Sequence, residues 1–104
     1  MQVIIEREVV SAITDFYAVS LMLHPTLDRQ TVIDKVNRLY DAVDMLGIMP
    51  NAFPKARLKQ SWIDAGYREM IAEDFHFAFR VEQLYNGEKA VVVYDACHSL
   101  LYHN

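Results

Sequence analysis

At 104 residues, with 53% hydrophobic and 23% charged positions, the chain has the composition of one ordinary globular domain, and disorder or a multidomain layout is excluded. A net charge of −4 and a pI near 5.4 argue against tight binding to bulk RNA or DNA. The lone Cys97 excludes a disulfide framework and a self-contained cysteine zinc site, and points to the reducing cytoplasm.

The opening MQVIIEREVV lacks the basic start and long apolar run of a signal peptide, and the apolar stretch around Ala18 to Leu23 is far too short to span a membrane. Val3 to Ile5 is a short β-branched run and predicts a strand. From about Glu6 to Leu23 the period becomes helical, with Val9, Val10, Ile13, Phe16, Tyr17, Ser20 and Leu21 on one face, until His24-Pro25 stops it. Asp28 or Thr26 can cap a second helix from about Arg29 to Leu46, whose stripe is Val32, Ile33, Val36, Leu39, Tyr40, Val43 and Leu46, with Gly47 as its C-cap. Met49 to Ala65 reads as a loop punctuated by Pro50 and Pro54, with Trp62 packing under the sheet or the helices.

The remainder reads as a meander. Tyr67 to Glu73 can form a strand ending in a Glu73-Asp74 corner. Phe75, Phe77, Phe79 and Val81 then alternate with His76, Ala78, Arg80 and Glu82, the pattern of a strand with one buried face. Asn86-Gly87 predicts a type I′ hairpin turn, and Ala90 to Tyr94, apolar on both faces, suits a central covered strand. The expected fold is α+β over residues 1–104: an N-terminal strand, then a helical hairpin packed on one face of a mostly antiparallel sheet of three to four further strands.

The candidate chemistry lies on the sheet face opposite the phenylalanines. His76 projects there, and histidine is the residue type suited to serve as base or acid at physiological pH. In the simplest register Arg68 and Arg80 share its face and could bind a phosphate or carboxylate. Tyr102 and His103, if the tail folds back, would add an acid–base pair. Lys55, Arg57 and Lys59 form a local basic cluster that could contact a nucleic-acid backbone or an acidic partner. Cys97, His98 and His103 have no recognised metal-ligand spacing, and no metal is expected.

Three words of the sheet region, Gly66-Tyr67-Arg68-Glu69-Met70-Ile71, Phe75-His76-Phe77-Ala78-Phe79-Arg80-Val81 and Val91-Val92-Val93-Tyr94-Asp95-Ala96-Cys97-His98, together with the order of elements, resemble the RelE/ParE superfamily of toxins from bacterial toxin–antitoxin systems. The ending Leu100-Leu101-Tyr102-His103-Asn104 is similar to the Tyr/His endings of one branch. In that family a basic residue sits where Arg68 falls and an arginine where His76 falls, and some ribonucleases carry a lysine where Met70 falls. The resemblance implies a cytoplasmic toxin-like protein with no cofactor, partnered by a small antitoxin. Its target would be mRNA on the ribosome, as a metal-independent endoribonuclease, or DNA gyrase, in a branch that does not keep the nuclease residues; a member that has lost toxicity is a third form. If the chain is a nuclease, its own residues point to His76 as base or acid, with Arg68 and Arg80 stabilising phosphate charge. The alternative is a non-catalytic protein-interaction module that forms a homodimer.

Overall fold

A computed structural model describes residues 1–103. The elements run β1 (Gln2–Ile5), α1 (Arg7–Leu23), α2 (Arg29–Asp44), α3 (Gln60–Asp64), β2 (Arg68–Ala72), β3 (Phe75–Gln83) and β4 (Lys89–His98), with 3-10 turns at Met45–Gly47 and Pro50–Ala52. The sheet order is β1-β4-β3-β2. Strands β2, β3 and β4 form the expected antiparallel meander, while β1 joins β4 in parallel, so the helical hairpin is part of the crossover between them.

Helix α1 buries Val9, Ile13 and Tyr17 and α2 buries Val32, Leu39 and Val43, each set one face of a 3.6-residue period. Val10 and Ile33, expected in those stripes, are 43% and 51% exposed. They lie on the shoulders of helices that pack against a single surface. Asp28 caps α2, its carboxylate accepting the Gln30 amide at 3.2 Å and the Thr31 hydroxyl at 3.0 Å. Phe75, Phe77 and Phe79 are fully buried under the two helices together with Val91, Val93 and Met70. Each phenylalanine contributes roughly 1.5–3 kcal/mol of burial, so this layer dominates the stability.

Two turn expectations are corrected. Gly87 alone has positive φ in the β3–β4 loop; Asn86 does not, so the turn is not type I′. Leu84 accepts from Gly87 N–H and donates to the Glu88 carbonyl, enclosing the three residues Tyr85-Asn86-Gly87, and glycine supplies the left-handed position of that longer hairpin. Gly47 is not a left-handed cap either. A Cβ there would collide with the Met1 carbonyl oxygen, so the glycine permits close approach of β1.

One irregularity shapes the rest of the sheet. Ala78 pairs with Asp95 and Phe79 with Val93, which leaves Tyr94 as the extra residue of a β-bulge. The side chains of Tyr94 and Asp95 consequently serve the same face, and Ala96 and His98 return to the helix side opposite Phe77 and Phe75.

The face away from the helical hairpin is also covered. After Phe53, whose ring meets Phe79 edge-on in the helix-side core, the chain rounds the β2 edge. There Pro54 accepts the Glu69 amide at 2.9 Å and Ala56 donates to Tyr67 at 2.9 Å, which blunts the exposed edge. Ala56 and Trp62 then pack on Ala78 from the far side. Trp62 stands on α3, a short helix inside the segment expected to be a loop.

Candidate functional site: the His76 cleft

Three side chains from two strands and the tail converge beside the basic loop. His76 on β3 projects away from the phenylalanines, as the alternation requires, and its cross-strand partners are Ile71 and Cys97. Glu69 stands diagonally across on β2, opposite Ala78. The Glu69 carboxylate accepts from His76 Nδ1 at 2.8 Å, and both side chains are only 12% exposed. Nε2 is thereby the ring nitrogen left to exchange a proton.

The tail closes over this pair. Ser99 donates its amide to the Asp74 carbonyl at 2.7 Å, and Leu101 and Tyr102 turn back on His98 and Ser99. The Tyr102 ring then stacks on His76, with centroids 3.8 Å apart and planes 10° from parallel. Its hydroxyl donates to the other Glu69 oxygen at 2.7 Å, and Trp62 lies against its outer side at 5.6 Å. Burial, followed by the Glu69 hydrogen bond and charge, pushes the Tyr102 phenol up to about 12. Tyr102 therefore stays protonated at neutral pH and acts as a hydrogen-bond donor and a wall of the cleft.

A cleft of about 290 Å³ opens at this point, lined by Lys55, Arg57, Glu69, Ile71, His76 and Tyr102 among others. Lys55 and Arg57 are exposed at its rim, with buried Ala56 between them, because the segment runs in extended form along β2. Lys59 leaves this pair and lies 5.6 Å over the Trp62 ring.

Three sequence-level expectations for the site change. Arg68 is opposite Phe79, on the helix side of the sheet, and donates to the Phe53 carbonyl at 2.6 Å; it does not share the His76 face. Arg80 does share that face, opposite Val92, but it is occupied elsewhere. It pairs with Glu82, donates to the Ala65 carbonyl at 2.7 Å, and lies over the stacked rings of Tyr67 and Tyr94 at 5.8 and 5.6 Å. His103 is exposed and bonds the Leu101 carbonyl at 2.7 Å, so the tail brings Tyr102 to His76 and leaves His103 outside. Glu69, the residue joining the cluster, carries no motif of its own in the sequence.

On the opposite side of the sheet a larger groove of about 460 Å³ runs between α1 and the end of β4, beyond the reach of β1. Phe16, Val19, Leu23, Ala96 and Leu101 line it, with His98 stacked on Phe16 at 3.8 Å. Burial lowers the His98 pKa, although the Asp74 charge opposes that shift. Among the described residues no three His, Cys, Asp or Glu side chains converge to hold a metal, and no helix is long and apolar enough to cross a membrane. Compared with known proteins, the chain matches no family model and no curated sequence.

Proposed function

We propose that this chain is the toxin-like component of a RelE/ParE-type toxin–antitoxin module and that it cleaves RNA at the His76 cleft. The observation that carries the reading is the placement of His76, with Nε2 available, beneath the cationic rim of Lys55 and Arg57. Cleavage by the 2′-hydroxyl needs a base for that hydroxyl and a cation beside the phosphate as charge develops. His76 Nε2 takes the proton, the 2′-oxygen attacks phosphorus, and the 5′-oxygen leaves with a proton from water or from the imidazolium just formed. Lys55 and Arg57 take the charge-stabilising role that the sequence pattern suggested for Arg68 and Arg80.

A second reading is favoured by the apolar groove along α1, where Val19, Leu23 and Leu101 are 47%, 66% and 58% exposed. Such a surface suits a partner that inserts an apolar helix or strand. In a toxin–antitoxin module that partner is the small antitoxin; in a non-catalytic module it is a second copy of the chain.

The test is message integrity and growth after inducing the wild-type chain in a bacterial host, beside His76→Ala and the Lys55→Ala/Arg57→Ala pair. Transcripts cut by the wild type alone support the nuclease. Intact transcripts with arrested growth move the target to gyrase or another protein. Intact transcripts with normal growth leave the interaction module or a toxin fold without activity.

A further inference from the structure

We infer that Glu69 is the positioning residue of the His76 cleft, a single carboxylate that fixes the imidazole tautomer with one oxygen and ties the C-terminal tail across the site with the other. The functional importance of that tautomer rests on the nuclease reading above; the positioning itself does not.

Both Glu69 oxygens are used, by donors from strand β3 and from the C-terminal tail. Oε2 takes His76 Nδ1–H at 2.8 Å and Oε1 takes the Tyr102 hydroxyl at 2.7 Å. A carboxylate is an acceptor at both oxygens, so it offers each of these two donors an oxygen of its own. The backbone beneath it is fixed as well, since the Glu69 amide donates to Pro54 and its strand neighbour Met70 is buried in the core. Accepting from Nδ1–H forces the proton of a neutral imidazole onto Nδ1 and leaves the lone pair on Nε2, the form that can act as a base.

The tail follows from the same carboxylate. Tyr102 packs flat on His76 and against Trp62, but flat stacking leaves a ring free to slide; its hydroxyl fixes it in the plane by donating to Glu69 and meeting the Lys59 backbone. Glu69 thereby couples the order of the last turn of chain to the orientation of the imidazole.

The experiment is nitrogen NMR of the His76 ring at a pH where it is neutral, together with amide exchange of Leu101 and Tyr102, in wild type, Glu69→Ala, Glu69→Leu and Tyr102→Phe. Wild type is expected to show the Nδ1–H tautomer. Glu69→Ala should shift the population to Nε2–H, the form favoured by a free imidazole, and speed tail exchange tenfold or more. Tyr102→Phe should keep the Nδ1–H tautomer while exchange accelerates. If Glu69→Ala does not fold, Glu69→Leu decides: it fills a similar volume and offers no acceptor to either donor, so the tautomer and the tail both lose their partner. An Nε2–H tautomer in wild type, or unchanged tautomer and exchange in both Glu69 variants, overturns the inference.

RNA cleavage by the same proteins separates the two claims. With the nuclease reading correct, Glu69→Ala loses about 10²–10⁴-fold in rate. A tautomer that depends on Glu69 in a chain that cuts no RNA leaves the positioning intact and removes the nuclease reading. Cleavage with a tautomer indifferent to Glu69 does the reverse.

Discussion

Trp62 Nε1 donates to Asp95 Oδ2 at 3.0 Å, joining the short helix α3 to the bulge of the central strand. The other oxygen, Oδ1, accepts the Ala96 amide at 2.9 Å, so Asp95 also satisfies a backbone donor at the bulge, where the ladder is interrupted. Trp62 is only 1% exposed, and without Asp95 its indole N–H is buried unpaired. Asp95→Leu is therefore expected to destabilise the fold by about 1–3 kcal/mol, while Asp95→Asn, which keeps a side-chain acceptor, costs less. Urea denaturation followed by Trp62 fluorescence reads both, and equal midpoints for the two variants would contradict this role.

The pH dependence of stability has two steps of the same sign. His98 is held between Phe16 and Phe75, and burial lowers its pKa below 6.5; Lys35 and His76 push the same way and Asp74 opposes. As pH falls through about 6.5 the unfolded chain takes up a proton that the folded protein resists, so stability drops. Protonation also removes the Nδ1 acceptor that holds the Leu100 amide at 3.1 Å. Asp74, whose pKa is lowered from 3.8 by its hydrogen bond to Lys35, adds a second loss at lower pH. A melting series from about pH 7.5 to 3 should fall in both regions. His98→Gln should flatten the upper step alone, and Asp74→Asn the lower; a wild-type profile level down to about pH 5 would refute the first.

Much of this architecture is legible in the sequence, because periodicity reports directly on burial. The alternation in Phe75–Val81 and the helical stripes gave the elements and the core face, and the β-branched run at Ala90–Tyr94 gave the doubly covered strand. Arg68 was expected on the His76 face and lies on the other, although the register could have been counted. A two-residue corner at Glu73-Asp74 pairs Ala72 with Phe75, and counting back places Arg68 opposite Phe79 on the apolar side, with Glu69 beside His76 on the other. The bulge at Tyr94 was not legible, since nothing in the local pattern announces one unpaired residue, and with it went the contacts of Tyr94 and Asp95. Helix α3 is only five residues long, too short to show a period. The fold-back of Tyr102 depends on tertiary partners in three separate segments.

Gly47 tests the packing of β1. A Cβ at this position meets the Met1 carbonyl oxygen well inside contact distance and the Val3 side chain at 3.1 Å. The obstacle is backbone at the start of a strand paired with Ala90–Val93, so relief requires β1 to shift against β4. Gly47→Ala is expected to cost about 1–3 kcal/mol, even though alanine would ordinarily favour a helical turn. A gain in melting temperature would show that β1 moves freely.

The nuclease proposed above makes opposite demands on two sets of cations. Arg80 shares the His76 face but stands four residues further along β3, about 13 Å away at ~3.3 Å per residue. Its guanidinium is committed to Glu82, the Ala65 carbonyl and the Tyr67–Tyr94 rings, so Arg80→Ala should loosen the turn after α3 and leave RNA cleavage in place. Among the described residues Lys55 and Arg57 have no such engagement, and they border the cleft. Replacing either with alanine should weaken binding of a single-stranded RNA and reduce the slope of log K against log salt by about 0.7 per cation removed. Loss of cleavage in a folded Arg80→Ala variant, with the Lys55 and Arg57 variants unimpaired, would move the phosphate site to the tyrosine end of the sheet and away from His76.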